Sequence, residues 1–262
     1  MTETTPLLIG TPRQWRLAGG VRLVRSQFSP QNLRGGDADK LARANLSQAH
    51  PKRQAEFLSG RQLCRAAFGI EDVGRGQMQE PIWPKGRAGA ISHSGSSVAC
   101  IAGPDNRLLG VDLEARLRPT SQQAVAKRVL TEEEAQWLAP MPEAQKAALL
   151  SVIFSAKECA YKAIFPWIGR RLPFDCAALL PMPARARGRW WMRLTGDLAP
   201  GFPQGMVLRG GFVWQGDMVL TWMNQPREAY SAAITEGKRA RSDSVRSVCS
   251  QPKPLPEGVR PK

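Results

Sequence analysis

Two carboxylates stand two residues apart in the segment Gly110-Val-Asp-Leu-Glu114. Side chains alternate between the faces of a strand, so Asp112 and Glu114 share one face while Val111 and Leu113 share the other. Convergent carboxylates repel unless a cation lies between them. A hard divalent ion with oxygen ligands meets that need, and magnesium typically keeps waters and adds substrate phosphates. At a solvated strand end the same pair would be ordinary surface acids, so a second element has to give it meaning. That element is Phe154-Ser-Ala-Lys-Glu-Cys-Ala-Tyr-Lys-Ala-Ile164. As a helix it sets Glu158 and Lys162 four residues apart on one side, with Lys157 one position round. Surface Glu–Lys pairs are common on helices, but this segment is otherwise apolar (Ile153, Phe154, Ala156, Cys159, Ala160, Ile164). Charges on a mainly buried helix need partners, and a metal–phosphate cluster would supply them.

Two further segments offer anion-binding chemistry. Gly86–Gly95, with sequence GRAGAISHSG, reads as a short apolar run followed by a Gly/Ser-rich turn carrying Ser92 and His93. Such turns present backbone N–H groups and hydroxyls to anions, although no Gly-Lys-Ser/Thr follows. A single histidine there serves equally well as a structural residue. Lys52–Arg61, with sequence KRQAEFLSGR, has a helical pattern, and Arg53 and Arg61 lie about 80° apart around such a helix. They suit a phosphate clamp or a solvated basic face. His50 precedes Pro51 at the start of that helix and reads as structural.

The elements that must position these residues follow from the hydrophobic pattern. Residues 1–20 carry no periodicity and are expected to be a loose lead-in. Val21–Phe28 alternates apolar and polar residues, as a half-buried strand does. Leu41–Phe68 is helical with a break at His50-Pro51, and 71–88 is loop-like. Ala90–Ser92, Ser97–Gly103 and Leu108–Glu114 read as adjacent strands of an antiparallel sheet. Thr131 with Glu134 has capping-box spacing. Pro142 opens a long helix to about Phe165, ended by Pro166. Strands return in Phe174–Leu180, Gly188–Leu194, Gly205–Trp214 and Asp217–Met223, with Gly216-Asp217 as a hairpin turn. Beyond Ile234 the composition turns to Arg, Ser and Pro, that of a disordered tail.

Composition narrows the classes. The 262 residues are 42% hydrophobic, enough for a globular core. No run approaches the ~18 apolar residues of a membrane span. The N-terminus, MTETTPLLIG, lacks the basic and apolar regions of a secretory signal. Five widely spaced cysteines without a C-x-x-C pair fit a reducing cytoplasm and argue against a disulfide framework or zinc site. The formal charge of +15 favours an anionic partner: nucleic acid, membrane, phosphorylated ligand or acidic protein. A metal-dependent nuclease would place Glu and Lys two apart on a strand, whereas here they are four apart on a helix. A non-catalytic basic protein that uses its charge to bind nucleic acid or membrane is the third reading.

In order, KRQAEFLSGR, PIWPKGRAGAISHS, LGVDLE, RVLTEEEAQWL and FSAKECAYKAI resemble the motifs of the 4'-phosphopantetheinyl transferases, in the group serving siderophore and nonribosomal-peptide synthases. The resemblance covers about Val21 to Met223. It implies an α+β fold of two similarly sized pseudo-symmetric lobes, antiparallel sheets packed by helices, with the lobes spanning 21–109 and 110–234 and a basic tail over 235–262. It implies transfer of 4'-phosphopantetheine from coenzyme A to a serine of an apo acyl or peptidyl carrier protein, leaving adenosine 3',5'-bisphosphate. By its motifs Asp112, Glu114 and Glu158 hold Mg²⁺, and Lys157 and Lys162 contact the CoA phosphates. Ser92 and His93 meet the 3'-phosphate or pyrophosphate, and Arg53 and Arg61 hold the nucleotide end. Asp112, Glu158 and Lys162 form the catalytic set, with Glu158 or a metal-bound water as base. A lysine that the group often carries ahead of P-x-W-P is absent. Met78 stands near its place, and Arg75 or Lys85 are the candidates to replace its CoA contact. The implied partners are an acidic carrier protein and CoA, with no nucleic acid, and the enzyme is expected to be a cytoplasmic monomer.

Overall fold

The first strand, β1 (Leu8–Leu17), forms where the sequence pattern predicts only a loose lead-in, in a computed structural model that describes residues 7–33 and 38–227. Gly10 and Pro12 hide the strand from periodicity, and its register against β2 (Val21–Phe28) shifts between Ile9 and Arg13. Such a bulge breaks the alternation that a period-two reading needs. The helical region 41–68 divides as expected into α1 (Ala38–Arg43) and α2 (Pro51–Phe68). His50 caps α2: its Nδ1 accepts from the Lys52 N–H at 3.2 Å, and Gly69 closes the helix at φ 67°. The loop-like stretch holds a small hairpin, β3 (Gly74–Arg75) and β4 (Pro81–Ile82). Then come β5 (Arg87–Ser94) and β6 (Ser97–Pro104), completing a four-stranded antiparallel sheet in the order β1-β2-β6-β5. α2 lies on that sheet and buries Leu58, Leu63 and Cys64 with Val24, Val98 and Cys100.

β7 (Arg107–Ala115) is expected beside β6 but belongs to a second sheet. Its partner is β11 (Met218–Pro226), a hundred residues on, so no local signal could announce the pairing. Between them the chain forms α3 (Pro119–Val129), α4 (Glu132–Leu138), α5 (Glu143–Ile168), β8 (Ala177–Leu179), β9 (Arg187–Leu194) and β10 (Val207–Gln215). The sheet order is β7-β11-β10-β9-β8, with Gly216 at φ 62° in the expected β10–β11 turn. The capping box is present: Thr131 Oγ1 accepts the Glu134 N–H and Glu134 Oε2 accepts the Thr131 N–H. α5 runs three residues past the expected end at Phe165. Pro166 sits within its last turn and Gly169 terminates it at φ 67°.

The described residues up to Pro226 form one compact unit. The odd-numbered residues of β7 (Leu109, Val111, Leu113) pack with Val21, Leu23, Ile101 and Leu220 between the sheets, each buried side chain contributing roughly 1.5–3 kcal/mol. The even-numbered residues face α5. Gly110 makes that approach possible, because a Cβ there would lie 2.1 Å from the Cys159 carbonyl oxygen. The helix therefore rests directly on β7, bringing the α5 charges to Asp112. The tail expected over 235–262 lies outside the described residues.

Candidate active site

Asp112 is the centre of the site. It is buried, and two elements besides its own strand reach its carboxylate. From α5, Lys162 Nζ donates to Oδ1 at 2.6 Å and Ser155 Oγ donates to Oδ2 at 2.8 Å. From β5, Ser92 Oγ donates to Oδ1 at 2.8 Å. The proton on Ser92 has a forced direction, since Lys162 (3.0 Å) and the Leu113 N–H (3.2 Å) both donate to its oxygen. Thr221, opposite Asp112 in the β7–β11 register, stands 2.9 Å from Ser155 Oγ. Lys162 spends two of its three N–H bonds on Ser92 and Asp112 and stays one-quarter exposed, so one donor is left for an anion. Burial works against its charge, but Asp112 and then Glu158 outweigh it and hold its pKa above the ordinary lysine value.

Glu114 and Glu158 flank this core, both half-buried. Burial and then Asp112 lift Glu114 to about 7, against a hydrogen bond from the Ala115 N–H and the charge of Lys162. Burial also raises Glu158, opposed by Lys162 and reinforced by Asp112. Glu158 opens onto a cavity of about 350 Å³ with Tyr161, Ile164 and Phe174 in its wall and Arg128 and Arg171 beside them.

A second group adjoins the first along β5. The structure places His93 on that strand rather than in the expected turn, because the β5–β6 turn begins only after Ser94. Arg53 Nη1 donates to His93 Nε2 at 2.8 Å, which makes Nε2 the unprotonated nitrogen and directs the Nδ1 proton toward Glu56, 3.5 Å away. Burial drives the His93 pKa down to about 4; Glu56 opposes and Arg53 and Lys162 assist, so the ring is neutral near pH 7. Glu56 also pairs with Arg53 at 3.4 Å. Glu56 has no role assigned by its motif, although its place three residues after Arg53 is an ion-pair spacing.

Four residues expected to bind ligand are tied to other parts of the protein or stand apart from Asp112, although Lys157 lines the same cavity as Glu158. Lys157 is 3% exposed at its side chain and fully engaged, donating to Glu134 Oε2 (2.7 Å), the Val129 carbonyl (2.7 Å) and the Phe174 carbonyl (3.0 Å). Its three donors are spent fastening α5 to α4 and to the Phe174 segment. Glu134 completes the link by accepting the Leu179 N–H of β8 at 2.7 Å. Arg61 is turned to the β3 hairpin, donating to the carbonyls of Val73 and Gly74 with Phe57 under its guanidinium, and burial lowers its pKa to about 10. Lys85 is exposed on the turn ahead of β5 and bonds to none of the described site residues. Arg75, the other candidate for the missing lysine, donates to the Ala44 carbonyl.

The donor chemistry fits a hard divalent cation. Asp112, Glu114 and Glu158 are close enough for Asp112 to raise both glutamates, a repulsion that a cation would relieve. Asp112 Oδ2 accepts one bond and so retains a lone pair. Among the described residues, however, no three acidic, His or Cys groups already stand as a ligand sphere.

Known proteins place this architecture. The 4'-phosphopantetheinyl transferase N-terminal domain model matches residues 41–103, and the 4'-phosphopantetheinyl transferase superfamily model matches 108–200, across the two sheets just described. Enterobactin synthase component D of Shigella flexneri is 31% identical over 144 residues, covering 52% of this chain and 68% of that protein. The 4'-phosphopantetheinyl transferase Npt of Nocardia iowensis is 26% identical over 164 residues, covering 61% and 72%. The transferase Svp of Streptomyces mobaraensis is 34% identical over 153 residues, covering 53% and 59%. The chain belongs to the 4'-phosphopantetheinyl transferases. As such it is an enzyme that uses coenzyme A to modify a carrier protein.

Proposed function

We propose that the cluster around Asp112 is where 4'-phosphopantetheine passes from CoA to the serine of an acidic apo acyl or peptidyl carrier, in siderophore or nonribosomal-peptide synthesis. The carrier serine Oγ forms a bond to the phosphorus bearing the pantetheine arm. The P–O bond to the adjoining phosphate breaks, and adenosine 3',5'-bisphosphate departs with the electron pair. Such transfers depend on positioning and on meeting the charge that develops on the phosphoryl oxygens. Lys162 supplies a fixed positive charge there through its remaining N–H. Ser92, Ser155 and Thr221 hold Asp112, and through it Lys162, in place. Asp112, Glu114 and Glu158 would hold Mg²⁺, which supplies charge neutralisation on the pyrophosphate when bound.

Glu158 is the group we assign to accept the serine proton. It borders a cavity whose apolar wall suits the pantetheine arm, and a raised carboxylate pKa favours proton uptake near neutral pH. Arg53, held by His93 and Glu56, would meet the 3'-phosphate. The enzyme acts as a cytoplasmic monomer in this reading. The spare donor of Lys162 beside Glu158 carries the assignment. Incubation with CoA, Mg²⁺ and several apo acyl and peptidyl carriers, followed by intact mass, should show one phosphopantetheine added to at least one carrier. No adduct on any of them refutes the assignment.

A further inference from the structure

On the side of the second sheet away from Asp112, β9 and β10 extend past the cover of the first sheet. Two adjoining cavities of about 680 and 980 Å³, open to solvent, follow the seam between β1 and β10. Hydrogen bonds between the sheets fix the seam at both ends: Asn224 donates to the Ala18 carbonyl at 2.9 Å, and Arg25 bonds Gln215. The groove is therefore a built feature, not a gap between loose surfaces.

Its lining has one sign of charge. Arg13 and Arg25 border the smaller cavity, Arg187, Arg189 and Arg209 the larger, and among the described residues no acidic side chain lines either. Arg13 and Arg25 face each other directly in the β1–β2 register, and like charges so placed are destabilising. Burial and then Arg13 lower the Arg25 pKa. Arg187, Arg189 and Arg209 make no side-chain ion pair with any described residue. Trp191, 41% exposed, lies opposite Arg209 in the β9–β10 register, and the Trp222 ring packs over Gly211 in the floor. Among the described residues β1 is the edge strand of its sheet, so its outer peptide groups have no strand partner there.

We infer that this Arg/Trp-lined groove along the free edge of β1 docks an extended acidic polypeptide segment. Arginines without acids supply charge complementarity, and a strand edge supplies main-chain hydrogen bonds that only a polypeptide returns in register. Tryptophan beside arginine also suits single-stranded nucleic acid, but nucleic acid has no use for the strand edge. The groove lies across the sheet from the transfer centre, and its role is independent of that reaction.

The test is fluorescence anisotropy with the full chain and no CoA. The probes are fluorescein-labelled twelve-residue poly-L-glutamate, its all-D counterpart, and labelled twelve-residue oligothymidine. The L-peptide should bind most tightly and weaken with salt. Arg187→Ala/Arg189→Ala should weaken it about tenfold, and Trp191→Ala by a smaller factor. Arg43→Ala/Arg65→Ala, which removes equal charge from another face, should change it less than about twofold. All substituted side chains are exposed, and circular dichroism checks folding. An equal loss in both double variants, an unchanged affinity in Arg187→Ala/Arg189→Ala, equal binding of the D-peptide, or preference for oligothymidine each overturns the inference. None of these outcomes depends on whether the chain transfers phosphopantetheine.

Discussion

Replacing Lys157 with methionine separates a structural role from a ligand-binding one. The family motif assigns this lysine to the CoA phosphates, whereas the structure buries its ammonium among Glu134, the Val129 carbonyl and the Phe174 carbonyl, all within 3.0 Å. Methionine keeps most of the volume and removes all three donors. It leaves the Glu134 carboxylate buried without its cation, although the Thr131 and Leu179 N–H groups still reach it. Removing one partner of a buried ion pair costs about 3–5 kcal/mol. At about 2–4 °C per kcal/mol for a domain of this size, Tm should fall by roughly 10 °C. Urea unfolding and calorimetry read the loss. At a temperature where the variant is folded, KM for CoA should stay within about twofold of wild type. Lys157→Met/Glu134→Leu should regain part of the stability, because the stranded carboxylate is gone. A variant that keeps its Tm but raises KM for CoA tenfold would show that Lys157 faces the phosphates after all.

Other outcomes follow from the same geometry. Ser155→Ala deletes the hydroxyl donating to Asp112 Oδ2, a charge-assisted bond worth about 1.5–3 kcal/mol, so kcat should drop at least about tenfold while KM for CoA moves little. Glu158→Gln should lower kcat with the fold intact, and turnover near wild type would exclude Glu158 as the base. Gly110→Ala forces a Cβ onto the Cys159 carbonyl and should lose about 1–3 kcal/mol in urea midpoint as well as activity. His93 titrates at about 4 when folded against about 6.5 unfolded, so between those values the unfolded chain binds more protons and stability falls as pH falls. The ring is 30% exposed, which reduces the effect to ~1 kcal/mol. His93→Asn should flatten the pH dependence of the urea midpoint across that window.

What the sequence discloses about this site is what is local. Two residues along a strand and four along a helix fix which side of each element Asp112, Glu114, Glu158 and Lys162 occupy, and the structure keeps those relations. Lys157 shows the limit: one helix position separates a charge facing the cleft from one facing α4, and only the distant partners at 129, 134 and 174 decide. Ser92 was legible as polar and near an anion site, but its bond to Asp112 comes from the meeting of β5 and β7. Glu56 and Thr221 carry no motif and acquire meaning only across the fold. The bulge in β1 breaks the period that would announce a strand, and the partner of β7 lies a hundred residues further along the chain, beyond any local signal.

The shell around Asp112 joins residues 92, 112, 155, 162 and 221, drawn from both sheets and the long helix. Every one of those bonds closes a large loop of chain, the slowest class of contact to form. The first sheet and its helix can assemble from nearer neighbours, yet Ser155 lacks its Thr221 support until β11 inserts between β7 and β10. Catalytic competence is therefore a property of the finished chain. On a ribosome it could not appear before Thr221 has cleared the exit tunnel, so an incomplete product would carry every family motif and no working centre.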